Sequence, residues 1–298
     1  MRVVRELGAV EVEPSAVAIG SFDGLHIGHQ ELIQRTLVEA RERGLRPLVV
    51  TLDPPSKVVL RGDNLLTTLD EQYPVFEALG VPLLVAIAFT VEFSRTPPVD
   101  FAAQVVAAGA RLVVVGEDFA FGRGREGRPE TLRDQGVEVV VVPTVIADGE
   151  PVKSTRIRAL LEAGAVADAA RLLGRPYVIS GVVEMGEGRA RRLGWPTANL
   201  VVDQRKVLPR GVFAVKVDGP GLAGAPGVLN VGVRPTVGGT RLTSEVHVLD
   251  VDRGLYGETL ACHLMAKLRD EVKFPSLEAL TDQVRRDIEL ARSLLAAR

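Results

Sequence analysis

Ten residues, GSFDGLHIGH from Gly20 to His29, concentrate the chemistry of this chain. They follow an apolar run, Ala16 to Ile19, and precede a helical pattern from Gln30 to Arg43, so they read as a strand-to-helix turn. Such turns bind phosphate in α/β sheets, because backbone N–H groups and the positive end of the helix dipole converge there. Gly20 and Gly24 permit a tight turn, Gly28 lets a phosphate approach the main chain, and His26 and His29 bring two imidazoles to one place. An imidazole N–H donates to a phosphoryl oxygen and stabilises the charge that builds when an α-phosphate is attacked. A Walker-type loop is excluded, since no GxxxxGK followed by Ser or Thr is present.

Two further stretches could serve the same ligand. Lys153 to Arg158, KSTRIR, opens a helical pattern with two hydroxyls and three cations, which suits an anion and equally suits an ordinary capped helix. Gly116 to Gly127, GEDFAFGRGREG, follows an apolar strand and reads as a ligand loop or as a basic turn. In it Phe119 and Phe121 alternate, so that one can join a core and the other meet a flat ring.

The second half offers a different set. Gly181 to Asn199 is a glycine- and arginine-rich loop ending in Pro196, Thr197, Ala198 and Asn199. A hydroxyl and an amide oxygen two residues apart on an extended segment face one side, which suits a hard cation carrying phosphates. Arg189, Arg191 and Arg192 supply donors for phosphate, although a solvated turn explains the same charges. Glu245 and His247 share one strand face, and a carboxylate pointing into a barrel mouth could act as general base toward a hydroxyl. A solvent-facing Glu245 is the alternative.

The elements that must position these residues divide in two. From Ala16 to about Val145, apolar runs at 16–19, 48–52, 83–89, 112–115 and 137–142 alternate with helical patterns at 30–43, 70–79, 100–108 and 154–173. That alternation predicts a parallel sheet with both faces covered. After Gly174, Arg175 and Pro176 the pattern changes to short β-rich segments at 177–184, 212–217, 228–233, 244–250 and 259–265, which predicts an antiparallel barrel. A helix over 276–295, with Ser276 as N-cap, ends the chain. The expected domains are 1–175 and 176–298.

Composition agrees with two cores. The chain has 298 residues, 46% hydrophobic and 25% charged, and a net charge of −2 argues against a general nucleic-acid binder. One cysteine, Cys262, excludes an internal disulfide and reads as a buried small side chain. No apolar run reaches membrane-spanning length and no signal peptide is visible, so a cytoplasmic protein is expected, with no membrane, nucleic-acid or obligate protein partner.

Taken together, GSFDGLHIGH, TLDPP from Thr51, GEDFAFG and STRIR resemble the FMN adenylyltransferase module of the bacterial bifunctional riboflavin kinase/FMN adenylyltransferase family. PTAN, NVGVRPT, E-x-H, LYG at Leu255 to Gly257 and LRDEVKF at Leu268 to Phe274 resemble its riboflavin kinase module. The resemblance implies an α/β nucleotidylyltransferase domain with a Rossmann-like parallel sheet, then a six-stranded antiparallel β-barrel with a C-terminal helix. It implies ATP, riboflavin, FMN and FAD as substrates and products, with Mg²⁺ as cofactor.

By the same resemblance, Gly20, Phe22, Asp23, His26, Gly28, His29, Ser154, Thr155 and Arg158 would bind the ATP of adenylyl transfer, and Asp118 would lie at the flavin side. In the kinase module Gly186, Arg191, Gly194, Thr197 and Asn199 would hold ATP, the last two also the metal. Glu245 would be the base and Arg269 would lie by the flavin's phosphate end. The chain departs from the family pattern at Ser21, Leu52, Pro55, Lys153 and Ala190, the last in a loop that approaches ATP. A tRNA-charging enzyme sharing the histidine motif, and a non-catalytic flavin-binding regulator, are the competing classes. The acidic balance and the lack of a KMSKS segment weigh against the first, and a complete set of base and metal-binding residues weighs against the second.

Overall fold

The computed structural model describes residues 1–185, 194–236 and 239–296. The chain divides into two compact units, Met1–Ser154 and Thr155–Arg298.

The first unit is built on six parallel strands: β1 (Arg2–Val4), β2 (Ser15–Gly20), β3 (Arg46–Asp53), β4 (Leu83–Ala88), β5 (Ala110–Gly116) and β6 (Glu138–Val142). Their order is β1-β4-β3-β2-β5-β6. Helices α1 (Ile27–Arg43), α2 (Ser56–Arg61), α3 (Leu69–Ala78), α4 (Pro98–Ala107) and α5 (Pro129–Arg133) join the strands. A small hairpin, β7 (Ile146–Ala147) and β8 (Glu150–Pro151), follows.

The inner strands are apolar along their middles because the residues there alternate between two separate cores. Val17, Ile19, Val50, Val113 and Val115 pack with Phe101 and Leu132 on one face. Ala16, Ala18, Val49, Leu84 and Val114 pack with Leu32, Ile33 and Phe76 on the other. The two edge strands are less covered, since Arg2 and Val3 of β1 and Glu138 and Val141 of β6 are exposed. The chain steps from β2 outward to β3 and β4, then returns to place β5 on the other side of β2. The carboxyl ends of β2 and β5 therefore flank the point where strand order reverses, the usual crevice for a ligand in an open α/β sheet.

The expected helix over 154–173 is two helices, α6 (Ser154–Glu162) and α7 (Val166–Leu173). Gly164 breaks the run at φ 74, and its missing Cβ also clears Lys267, whose Nζ would lie 2.5 Å away. β1, the hairpin, α2 and α5 went unanticipated, being too short to show a period.

In the second unit β9 (Tyr177–Glu184), β10 (Ala198–Val201), β11 (Gly211–Gly219), β12 (Leu222–Thr236), β13 (Gly239–Val248) and β14 (Thr259–Arg269) close a barrel in the order β10-β13-β12-β11-β14-β9. Every pairing is antiparallel. Strand β10 was not foreseen, because only four residues carry it. Phe213, Val215, Leu229, Val231, Val246 and Cys262 fill the interior, each fully buried. Helix α8 (Leu277–Ala296) starts where expected, with Ser276 Oγ accepting from Ala279 N–H at 3.2 Å. Its Ala291 and Leu295 pack on Ala214 and Val228, on the outer face of the barrel.

Candidate functional site

In the first unit the histidine loop leaves the end of β2 and α1 begins at Ile27, three residues before the expected start. His26 is the N-cap, its Nδ1 accepting from His29 N–H at 3.3 Å. Accepting at Nδ1 puts the imidazole proton on Nε2, the tautomer suited to donate to a phosphoryl oxygen. The His26 and His29 rings stack with centroids 3.6 Å apart, and Phe22, fully buried, meets His29 edge-on at 5.3 Å. Gly20 is needed because a Cβ there would lie 2.8 Å from the Phe22 ring. Gly28 falls inside the first turn of α1, where a Cβ would sit 3.3 Å from His26 Nδ1. Its lack of a side chain thus serves the imidazole as well as any ligand.

Asp23 is 4% exposed, and its carboxylate accepts from the N–H groups of Leu66 and Thr67 at 2.9 and 3.3 Å. Gly24 N–H donates to Thr67 Oγ1 at 2.9 Å, so this part of the loop is tied to the 65–67 segment. Ser154 Oγ donates to the Asp23 carbonyl at 3.0 Å. Thr155 and Arg158 fall in the second unit, on the first turns of α6.

Beyond β5, Asp118 Oδ2 receives Lys153 Nζ at 2.7 Å, and Arg125 donates to the Asp118 carbonyl at 3.0 Å. The Lys153 hydrogen bond is the largest cause holding the Asp118 carboxyl below the usual range, with Arg125 and Lys57 adding to it. Of the two phenylalanines, Phe121 is buried against Phe101, while Phe119 is half-buried, packs on the same core and stacks on Phe121 at 5.3 Å. The pairing of Asp118 with Lys153 was not anticipated, although opposite charges on two suspected ligand loops were a visible signal.

In the second unit Asn199 pairs with Glu245 across β10 and β13, and Glu245 pairs with Asn230 across β13 and β12. These side chains stand on the outer face of the barrel, opposite the interior Val246. The expectation that Glu245 points into a barrel mouth is thereby corrected. The period of two fixes this: once Val246 is interior, Glu245 and His247 face outward. They line a cavity of about 470 Å³ beneath α8, together with Thr197, Asn199, Arg269 and Phe274. A second cavity of about 230 Å³, walled by the 251–256 loop, shares Thr197 and Asn199 with the first. Of the residues expected to hold phosphate, Gly194 sits in a turn at φ 93, a glycine conformation. Gly186 and Arg191, with Arg189, Ala190 and Arg192, lie outside the described residues.

Arg269 reaches this cavity under tight control. Its Nε donates to Asp287 Oδ2 at 2.9 Å, its Nη2 lies 2.9 Å from the same oxygen, and its guanidinium lies 5.5 Å from the Phe274 ring centre. Asp287 is 4% exposed and also accepts from Gln283 at 2.8 Å. Sequence reasoning missed Asp287, though an acid on the apolar side of an amphipathic helix was a signal that something basic waits opposite it.

Two family models match the chain: FAD synthetase over residues 9–156 and riboflavin kinase over 173–295. The curated bifunctional riboflavin kinase/FMN adenylyltransferase of Escherichia coli K12 is 36% identical over 302 residues, covering 98% of this chain and 96% of that protein. The chain belongs to the bifunctional riboflavin kinase/FMN adenylyltransferase family. The Pseudomonas fluorescens member is also 36% identical, with 99% and 98% covered, and the Bacillus subtilis member is 32% identical. A crystal structure from Streptococcus pneumoniae, described as a macrolide-efflux protein, shares the fold with TM-score 0.86 at 31% identity over 98% of both chains. Efflux is said of that protein; among the described residues here, no helix is long and apolar enough to cross a membrane. Both halves of the family are thus present in one chain, each with its own fold.

Proposed function

We propose how this chain performs the two activities of its family, ATP-dependent phosphorylation of riboflavin to FMN and adenylylation of FMN to FAD with release of pyrophosphate. The observation that carries the kinase assignment is that Thr197 and Asn199 stand where two cavities meet, with Glu245 in the larger one. Riboflavin occupies the larger cavity, whose volume lies in the range of small-molecule sites. ATP enters from the smaller side, so that its γ-phosphate and the ribityl 5′-hydroxyl meet at Thr197 and Asn199. Glu245 accepts the hydroxyl proton, and Arg269, braced by Asp287, faces the end of the flavin that becomes phosphorylated. A threonine hydroxyl and an asparagine amide are hard oxygen donors of the kind Mg²⁺ takes while keeping several waters. Mg²⁺ bound there supplies neutralisation of the triphosphate charge, and positioning by the chain's residues supplies most of the rest.

For adenylyl transfer, His26 and His29 at the start of α1 stabilise the charge on the α-phosphate while the FMN phosphate attacks and pyrophosphate leaves. Gly20, Phe22, Asp23 and Gly28 shape that loop, Ser154, Thr155 and Arg158 are assigned to the triphosphate, and Asp118 to the flavin side. We place the functional boundary at 175/176, close to the start of the riboflavin kinase match at 173, and the reactions in the cytoplasm, where ATP is supplied. Compactness alone would divide the chain at 154/155.

The test separates the two sites in one chain. Supplied with riboflavin and MgATP, wild-type protein should give FMN and then FAD, resolved by chromatography. Glu245→Gln should lower FMN formation about 100-fold or more while still converting supplied FMN to FAD. His29→Ala should do the reverse. Loss of both activities in either variant, with the protein folded, would refute the assignment.

A further inference from the structure

We infer that His247 is a positioning residue for phosphoryl transfer, acting by pinning the Pro196 carbonyl and thereby fixing Thr197. The inference rests on the assignment of Thr197 to phosphate and metal made above. Pairing between β10 and β13 begins at Ala198, opposite Val246, and continues through Asn199 and Leu200. It stops short of Thr197, and Pro196 before it has no N–H with which to join a neighbouring strand. Thr197 is therefore held by the sheet on its C-terminal side only. On its N-terminal side the chain leads back through Trp195 to Gly194, whose φ of 93 is a conformation that few other residues adopt.

His247 makes up the missing attachment. It is the residue after Val246 on β13, so the antiparallel register places it beside Thr197, and its Nδ1 lies 2.8 Å from the Pro196 carbonyl oxygen. A carbonyl only accepts, so Nδ1 carries the proton and donates. The side chain thus extends the ladder by one link, across the residue that has to hold its hydroxyl at the junction of the two cavities. Since a misplacement of about 1 Å in such a group costs about 100-fold in rate, a single hydrogen bond at this point has leverage beyond its own strength.

The test uses the full-length bifunctional chain, whose conversion of supplied FMN to FAD serves as the internal standard of folding. Three substitutions are compared: His247→Leu, His247→Asn, whose amide nitrogen stands where Nδ1 stands, and His247→Gln, whose amide lies one bond too far out. Thr197→Val calibrates the underlying assignment. The expected result for His247→Leu is a kinase kcat lowered about tenfold or more, a riboflavin KM within about twofold, and FMN adenylylation unchanged. Trp195, the single tryptophan, adjoins the pinned carbonyl, so its fluorescence anisotropy should fall in the same variant. His247→Asn should restore kcat to within about threefold of wild type and recover the anisotropy, while His247→Gln should resemble His247→Leu.

A His247→Leu enzyme with wild-type kcat, beside a Thr197→Val enzyme that has lost its activity, would overturn the inference and leave the Thr197 assignment standing. Equal loss in His247→Asn and His247→Leu would also overturn it, since a packing role predicts no rescue by a donor. Full kinase activity in Thr197→Val would overturn the assignment and the inference together.

Discussion

Asp287→Ala should unfasten the larger cavity of the kinase unit, proposed above as the riboflavin site, without touching FMN adenylylation. Asp287 is nearly fully buried, and it holds Arg269 through both carboxylate oxygens while accepting from Gln283. Removing one partner of a buried pair costs about 3–5 kcal/mol, chiefly through the charge left behind. The Arg269 side chain keeps 20% exposure, so water recovers part of that loss and the lower end, about 3 kcal/mol, applies. For a unit of this size about 3 °C is lost per kcal/mol, which gives a midpoint lowered by about 9 °C. The single tryptophan, Trp195, lines the same cavity, so its fluorescence during thermal unfolding reports this unit. Below the new midpoint the riboflavin KM should rise, because the guanidinium is no longer aimed, while the KM for FMN in adenylyl transfer stays constant. A midpoint shifted by less than about 3 °C, below 1 kcal/mol on the same scale, would refute the account of Asp287 as the brace of Arg269.

Other substitutions probe the remaining framework. Gly109→Ala places a Cβ 2.1 Å from the Glu13 carbonyl oxygen at φ 96, so β5 and the entry to β2 must separate; adenylylation should inactivate at lower temperature, by about 2–3 kcal/mol of stability, with the Trp195 transition unmoved. Glu39 is buried between Arg35 and Arg43, and the Arg43 hydrogen bond is the main reason its carboxyl is held below 4.5. A depressed carboxyl stabilises the fold above its unfolded value and loses that contribution as pH falls below 4.5 through the folded value. Acid unfolding followed by circular dichroism should therefore be shallower in Glu39→Gln. Cys262 is fully buried in the barrel, and burial pushes its thiol up to about 12. A thiol reagent at neutral pH should find no reactive group in native protein and one in denaturant, whereas fast native labelling would contradict a closed barrel.

Much of this architecture can be read along the chain, because its signals are local. Apolar runs of 16–19 and 112–115 announce strands covered on both faces, and Gly44, at φ 63, ends α1 directly after the helical pattern of 30–43. The histidine turn and the Pro196–Asn199 segment are recognisable since strand, turn and side chains lie within ten residues of one another. The helix over 154–173 was misjudged because its apolar spacing continues through Gly164, and only the backbone reveals the break. Short elements such as β1 and β10 escape for want of a period.

By itself the sequence determined which residues are chemically able, their local backbone, and the division into a parallel sheet and an antiparallel barrel. Tertiary structure alone decided which of them meet. It set β5 beside β2, turned Glu245 to the outside of the barrel, brought Lys153 to Asp118 across 35 residues, and aimed His247 at Pro196 across 51. Periodicity says that a face exists but not what it packs against. Partners distant in sequence are chosen by burial and register summed over the whole fold, quantities that no short stretch of the chain contains.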